Sequence, residues 1–140
     1  MSAIFLDTVY LLALINPNDA WRAKALEWAA KISGPLVTTD AVLTEVADAL
    51  CRSDRRAWAV AAIRDLRSDP KVTCVPGSAE LFGKGFQLYE RRADKDWSLT
   101  DCISFVVMRD RKIRQALTAD IHFMQAGFEA VLREQAGRPQ

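Results

Sequence analysis

The stretch DWSLTDCISFVVM, Asp96-Trp97-Ser98-Leu99-Thr100-Asp101-Cys102-Ile103-Ser104-Phe105-Val106-Val107-Met108, decides the fold of this chain. Ser98 and Asp101 have the spacing of a capping box, in which the cap residue and the third helical residue each bond the main chain of the other. The helix that they begin is apolar on almost every side, so it must be buried. Its first-turn carboxylate, Asp101, is then expected to emerge at the end of a covered sheet rather than from a solvated flank.

The flanking sequence alternates short apolar runs with helical patterns. We predict strands at residues 3–6, 36–38, 72–75 and 116–118, and an edge strand at residues 128–132. We predict helices at residues 9–15, 19–32, 41–52, 54–67, 78–92, 98–111 and 121–126. Ser53 or Asp54 is expected to cap the fourth of these helices. Strands that alternate with helices predict an α/β fold with a mostly parallel sheet covered on both faces.

Length and charge limit the function classes. With 140 residues, the chain has the length of one domain, assigned to residues 1–133, with a polar tail at residues 134–140. A net charge of +1 excludes a protein that binds nucleic acid by bulk electrostatics. A polyanion would instead need local basic clusters, of which residues 52–56, 91–95 and 109–114 are the candidates.

The cysteines and the N-terminus indicate a compartment. Cys51, Cys74 and Cys102 stand in apolar neighbourhoods without the C-x-x-C spacing of a metal site, so we expect reduced, buried thiols. The first residues lack the pattern of a signal peptide, and the longest early apolar run is too short for a membrane span. A cytoplasmic protein without membrane contact is predicted.

Four carboxylates lie at positions that are poorly explained by an ordinary solvent-exposed role. Asp7 and Asp120 each follow a predicted strand, Asp101 opens the buried helix, and Glu45 falls at the edge of the apolar arc of its helix. Each has a structural explanation as well, since three could be helix caps and Glu45 a boundary residue. However, caps that follow parallel strands lie at the same edge of the sheet, where ligands of such folds bind.

Convergence of these acids would have a chemical consequence. Carboxylates in one partly buried cleft raise each other's pKa, and a divalent cation offsets that repulsion. Oxygen-only ligation suits Mg²⁺ or Mn²⁺ rather than zinc, which favours cysteine and histidine.

Four segments of the chain carry a family resemblance. They are FLDTVYLLALINPNDAWRAKA at residues 5–25, TTDAVLTEVADAL at 38–50, DWSLTDCISFVVMRDRKI at 96–113 and ALTADIHFMQAGFEAV at 116–131. In this order and spacing they resemble the motifs of the PIN-domain family, and within it the VapC-type toxin ribonucleases. The resemblance covers residues 4–131, and the third and fourth segments are its most specific part.

The resemblance implies a fold, an activity and partners. The fold would be a three-layer α/β/α sandwich, often dimeric, and the activity metal-dependent hydrolysis of RNA phosphodiester bonds with Mg²⁺ or Mn²⁺. The family's toxins are paired with a small antitoxin protein, so an antitoxin, an RNA substrate and a homodimer are expected. The family's four acidic positions fall on Asp7, Glu45, Asp101 and Asp120.

Several neighbouring residues have open roles under the resemblance. The matching hydroxyl positions are Thr8, Ser98 and Thr100. Tyr10 is bulkier than the residue expected at its position, and Asp96 is either an auxiliary acid or part of a loop. His122, the only histidine, is interpreted as structural or peripheral, although a substrate contact stays open.

Two other functions compete with the ribonuclease. A non-catalytic PIN-like or receiver-like module would use the acids as caps and its surface for protein binding. A phosphatase of the haloacid dehalogenase type is disfavoured, because Val9 stands where that family places its second aspartate.

Overall fold

A computed structural model describes residues 2–133, so the predicted tail at residues 134–140 lies outside the described part of the chain. The strands are β1 (Ile4–Leu6), β2 (Leu36–Thr39), β3 (Val72–Val75), β4 (Gln115–Leu117) and β5 (Glu129–Ala130). The helices are α1 (Thr8–Ile15), α2 (Arg22–Lys31), α3 (Asp40–Ala49), α4 (Arg56–Ser68), α5 (Ala79–Arg91), α6 (Leu99–Asp110) and α7 (Ile121–Gln125), followed by a 3₁₀ turn at Val131–Arg133. The predicted α/β alternation is confirmed.

The five strands form one parallel sheet in the order β3-β2-β1-β4-β5. Phe5 of β1 pairs with Val37 of β2 on one side and with Ala116 of β4 on the other. The chain therefore runs outward from β1 through β2 to β3. Helices α5 and α6 then connect β3 to β4, which lies on the other side of β1. The order reverses between β1 and β4, and in open α/β sheets such a switch point forms a crevice at the carboxyl ends of the strands.

Helix α6 is buried as its sequence predicts. Residues 101–108 are all buried, and Phe105 and Met108 have no exposed surface. The Phe105 ring lies edge-on against Trp97 and Phe123, with centroids 5.0 and 4.9 Å apart. This aromatic contact joins α6 to α7 and holds the first turn of α6 at the carboxyl edge of the sheet.

Helices α5 and α6 approach closely at one glycine. A Cβ atom on Gly85 would lie 2.5 Å from Cγ1 and 3.3 Å from Cα of Ile103. Only a residue without a side chain permits this separation, so Gly85 sets how near α5 lies to the helix that carries Asp101.

The start of α4 differs from the prediction. Helix α3 ends at Ala49, and α4 begins at Arg56 without a side-chain cap. Asp54, a predicted cap, instead pairs with Arg52 at 3.6 Å. The Arg56 guanidinium donates to the Cys51 carbonyl at 2.8 Å, which holds the intervening turn.

The predicted edge strand at residues 128–132 is also shorter than expected. Only Glu129 and Ala130 pair with β4, because Val131 and Leu132 are both buried and consecutive buried residues break the alternation of an edge strand. The Leu132 amide donates to the Thr118 carbonyl at 3.2 Å and turns the chain over the end of β4.

The thiol prediction holds only in part. Cys102 is buried and Cys74 half-buried, but Cys51 is exposed beyond the end of α3, so the expectation of three buried thiols is wrong for Cys51. Within residues 2–133, no helix has both the length and the apolar character needed to cross a membrane.

Candidate active site

The carboxyl ends of β1 and β4 place the first and last of the four acids side by side. Asp7 directly follows β1, and its main-chain amide donates to the Leu117 carbonyl of β4 at 3.3 Å. Asp120 stands three residues beyond Leu117 and caps α7 by accepting from the His122 amide at 2.9 Å. Both acids therefore lie at the switch point of the sheet.

The Asp7 carboxylate is held by a hydrogen bond from a neighbouring side chain and does not cap α1. The helix-cap explanation therefore fails here. The Thr118 hydroxyl donates to Asp7 Oδ2 at 2.6 Å, and Asp7 is only 4% exposed. Burial raises the pKa of Asp7 to about 7; the Thr118 bond opposes this shift, while the charges of Asp101 and Glu45 add to it.

Asp101 is both a cap and a member of the cluster. The predicted capping box is confirmed: Ser98 Oγ accepts from the Asp101 amide at 3.0 Å, and Asp101 Oδ2 accepts from the Ser98 amide at 3.1 Å. Burial raises the pKa of Asp101, and the Ser98 and His122 hydrogen bonds oppose that rise. The capping geometry thus delivers the carboxylate to the site.

Glu45 reaches the same cleft from the middle of α3. The Thr8 hydroxyl donates to Glu45 Oε1, and Thr100 is a second hydroxyl partner. Glu45 is half-buried, and burial raises its pKa together with the charges of Asp101 and Asp120. The structure therefore brings all four predicted acids into electrostatic contact.

His122 lies inside this cluster. Its Nδ1 atom is 3.0 Å from Asp101 Oδ2 and 3.3 Å from Asp120 Oδ1. One ligand atom from each of these three residues falls within 4.8 Å of the others. The ring faces two of the acids, so His122 is not peripheral to the cluster, while the predicted structural role stays open.

Sequence reasoning missed Thr118 and the contact of His122 with Asp101. Thr118 and His122 both belong to the T-A-D-I-H segment, two residues before and two after Asp120. A hydroxyl residue at the end of a buried strand was the available signal for Thr118, since a buried hydroxyl needs a partner. Asp96, by contrast, is exposed in the loop before α6, and Tyr10 is buried in the core.

The residues present fit a divalent cation. Thr118, Thr8 and the Ser98 amide each anchor one carboxylate through one named oxygen. Donors of this kind orient metal ligands in known sites. Burial raises the pKa of three of the acids and their neighbouring charges add to the rise, so a cation would stabilise their ionised forms; a set dominated by carboxylate oxygens suits Mg²⁺ or Mn²⁺.

Comparison with known proteins places this site in a family. The family model described as "PIN domain" matches residues 4–129, which is most of the chain. The chain belongs to the PIN-domain family. The resemblance drawn from its four segments is thereby confirmed.

Individual relatives of this PIN domain include a solved structure. The chain is 37% identical over 135 residues to the "23S rRNA-specific endonuclease VapC20" of Mycobacterium tuberculosis, with 94% of this chain and 99% of the relative covered. A crystal structure of VapC20, described as a "Sarcin-Ricin loop cleaving toxin", superposes with a TM-score of 0.84 at 31% identity, covering 91% of this chain and 97% of that one. FitAcB from Neisseria gonorrhoeae, 14% identical with a TM-score of 0.64 over 90% and 94% of the two chains, shares the fold.

Proposed function

We propose that this protein is a metal-dependent endoribonuclease that hydrolyses RNA phosphodiester bonds and acts as the toxin of a type II toxin–antitoxin pair. The observation that carries the proposal is the meeting of Asp7, Glu45, Asp101 and Asp120 at the switch point of the sheet. Similarity to VapC20 over nearly the full length of both chains supports the same activity.

The four acids would hold Mg²⁺ or Mn²⁺, and the surrounding donors would keep them in place. A bound ion of this type lowers the pKa of an attacking water and offsets charge at the scissile phosphate. Thr118 fixes the buried Asp7, Thr8 fixes Glu45, and the capping box fixes Asp101 before any ligand arrives. Because these bonds lie within the protein, little orientational freedom is lost on binding.

The decisive experiment replaces one acid without removing its capping role. Asp101→Asn keeps an oxygen that can accept from the Ser98 amide but loses the charge, so we expect cleavage of RNA in Mg²⁺ or Mn²⁺ to fall at least about 100-fold while circular dichroism stays unchanged. Asp65→Asn, exposed on α4 and outside the basic clusters, is the control and should cut at the wild-type rate. Equal rates for Asp101→Asn and wild type would remove Asp101 from the site.

The target of the relative VapC20 indicates which RNA to test first. VapC20 is named for 23S rRNA and for the sarcin–ricin loop. We propose a structured loop of ribosomal RNA as the substrate class of this protein as well. A single-stranded loop suits a protein with net charge +1, because only a few phosphates then need to be neutralised by local basic clusters.

A protein partner and a second copy complete the proposal. We propose a cognate antitoxin, a homodimer and a cytoplasmic location where ribosomal RNA is accessible. An exposed stripe on α5 supports a protein contact: Phe82, Phe86 and Tyr89 lie on one helix face with neighbouring ring centroids 6.4 Å apart. Aromatic side chains at the surface are enriched in protein interfaces.

The non-catalytic module remains the alternative outcome of the cleavage experiment. It predicts that wild-type protein neither cuts RNA nor binds Mn²⁺. The raised pKa values of Asp7, Glu45 and Asp101 argue against it, since caps alone would not require buried, mutually repelling carboxylates.

A further inference from the structure

We propose that His122 is a positioning residue, whose Nδ1–H group donates to Asp101 Oδ2 and aligns the Asp101 carboxylate for the cation. This role rests on the proposed metal-dependent function. It differs from that of the four acids, because His122 would act through Asp101 and would not itself ligate the ion.

The contacts of the ring favour a proton on Nδ1. Nδ1 lies 3.0 Å from Asp101 Oδ2 and 3.3 Å from Asp120 Oδ1, and carboxylate oxygens are acceptors. An ionised Asp101 therefore makes this contact favourable when Nδ1 carries a hydrogen, and a neutral ring with its proton on Nδ1 satisfies this. The other ring nitrogen, Nε2, is then free of a proton in the neutral ring.

Two donors from different elements meet on one oxygen of Asp101. The Ser98 amide lies 3.1 Å from Oδ2 at the start of α6, and the His122 ring reaches the same Oδ2 from α7. Neither donor occupies Oδ1. The shared oxygen is thus bonded to the protein, and these two donors leave Oδ1 unused.

His122 also ties two acids together through its own main chain. Its amide donates to Asp120 Oδ1 at 2.9 Å while its ring contacts Asp101. The Asp101 side chain is 11% exposed and the His122 side chain 26%, so the link is largely shielded from water. One residue therefore sets the separation of carboxylates that come from α6 and from the β4–α7 turn.

Direct ligation by His122 is the competing arrangement. Ligation through Nδ1 would require a bare Nδ1, since a protonated ring nitrogen cannot bind a metal ion, whereas ligation through Nε2 would leave the Nδ1–H bond to Asp101 in place. The 3.0 Å separation from Asp101 Oδ2 is a hydrogen-bond distance, and Mg²⁺ prefers oxygen ligands. The geometry therefore favours a donor over a ligand at Nδ1, and the oxygen preference of Mg²⁺ argues against ligation through Nε2.

Metal affinity provides the first arm of the test. Binding of Mn²⁺ is measured by electron paramagnetic resonance for wild type, His122→Ala, His122→Asn and Met124→Ala. His122→Ala should weaken Mn²⁺ binding about 10- to 100-fold, as loss of an orienting donor does elsewhere. His122→Asn, whose amide N–H can replace Nδ1–H, should restore affinity to near wild type, and Met124→Ala, exposed on the same short helix, should leave it unchanged.

The second arm needs no variant. Because the chain has one histidine, [¹⁵N]histidine labelling gives a single pair of ring-nitrogen signals. We expect Nδ1 to be protonated both without metal and in saturating Mg²⁺. A bare Nδ1 in either condition overturns the proposal, as does an Nε2 signal that Mg²⁺ shifts to the position of a coordinated nitrogen, and so does unchanged Mn²⁺ affinity in His122→Ala while wild type binds the ion. Wild-type protein that binds no Mn²⁺ overturns the metal-dependent function itself, and the role of His122 with it.

Discussion

At the scale of the residue, Asp7 is the least ordinary group in the molecule. It is 4% exposed, carries a pKa raised to about 7 by burial, and has one close hydroxyl partner in Thr118. A carboxylate in this state is costly to ionise without a cation nearby. Metal-free protein should therefore reveal Asp7 through the pH dependence of its stability.

The free energy of unfolding should fall between about pH 4 and pH 7 when metal is chelated. Folded Asp7 keeps its proton up to a pKa of about 7, whereas the unfolded chain releases it near 3.8, so stability present at low pH is lost as pH rises. The loss from Asp7 alone amounts to about 4 kcal/mol. Glu45 and Asp101, whose pKa values are also raised, add to it in the same direction.

Asp7→Asn provides the check, because it is uncharged at every pH. Urea unfolding in a chelator across this range should show a shallower fall for Asp7→Asn, and the variant should exceed wild type in stability above pH 7. Parallel curves for the two proteins would contradict the assignment of the buried charge to Asp7.

The convergence of the four acids could be predicted from the sequence, but their hydrogen-bond partners could not. Position relative to strands and helices sufficed for Asp7, Glu45, Asp101 and Asp120, because the ends of parallel strands meet at one edge. His122 could not be placed, since the direction of a ring from a five-residue helix depends on tertiary packing against Asp101. The Thr118–Asp7 bond joins residues far apart in the chain, which no local pattern encodes.

At the scale of the element, the pairing of α5 with α6 positions the site. Gly85 lets α5 approach Ile103, which lies two residues beyond Asp101. Gly83, one half-turn earlier on α5, has nothing within 4 Å of its would-be Cβ. The same helix therefore offers one glycine that packing requires and one that it does not.

Alanine substitutions at these two glycines should have opposite effects on stability. Gly85→Ala forces a Cβ atom against Ile103 and should lower the free energy of unfolding by about 1–3 kcal/mol. Gly83→Ala meets no obstacle and should raise it by about 0.5–1 kcal/mol, because alanine favours the helix. Denaturant midpoints compare the two directly, and a stabilised Gly85→Ala would show that the helices can move apart freely.

Element prediction succeeded where one local signal dominated. The capping box of α6 and its apolar run left no competing structure. The start of α4 was misplaced because Asp54, a plausible cap by residue type, is engaged by Arg52 instead. The length of β5 depended on how residues 131–132 enter the core, which is a tertiary property.

At the scale of the whole molecule, the strand order brings distant segments into one cleft. Acids near the two ends of the described chain become neighbours because β1 and β4 lie side by side. An ion bound there would link α3, α6 and both central strands. Binding should therefore stabilise the whole fold against global unfolding rather than one local segment.

Thermal unfolding should respond to Mn²⁺ accordingly. A free Mn²⁺ concentration of 100 times its Kd should add about 2.7 kcal/mol to the stability of wild type and raise its Tm. Asp101→Asn should show a much smaller rise, whereas Asp65→Asn should match wild type. Scanning calorimetry with and without chelator measures the shift, and equal shifts in Asp101→Asn and wild type would indicate binding outside the cleft.

The order in which the acids occur along the chain also bears on synthesis. Asp7 leaves the ribosome first, but Thr118 and Asp120 emerge only when nearly the whole described chain has been translated. A nascent or truncated chain that stops before β4 lacks both the hydroxyl that holds Asp7 and the last acid. A cleft assembled in this way is incomplete, and the proposed activity absent, until residue 120 has been translated and β4 has paired with β1.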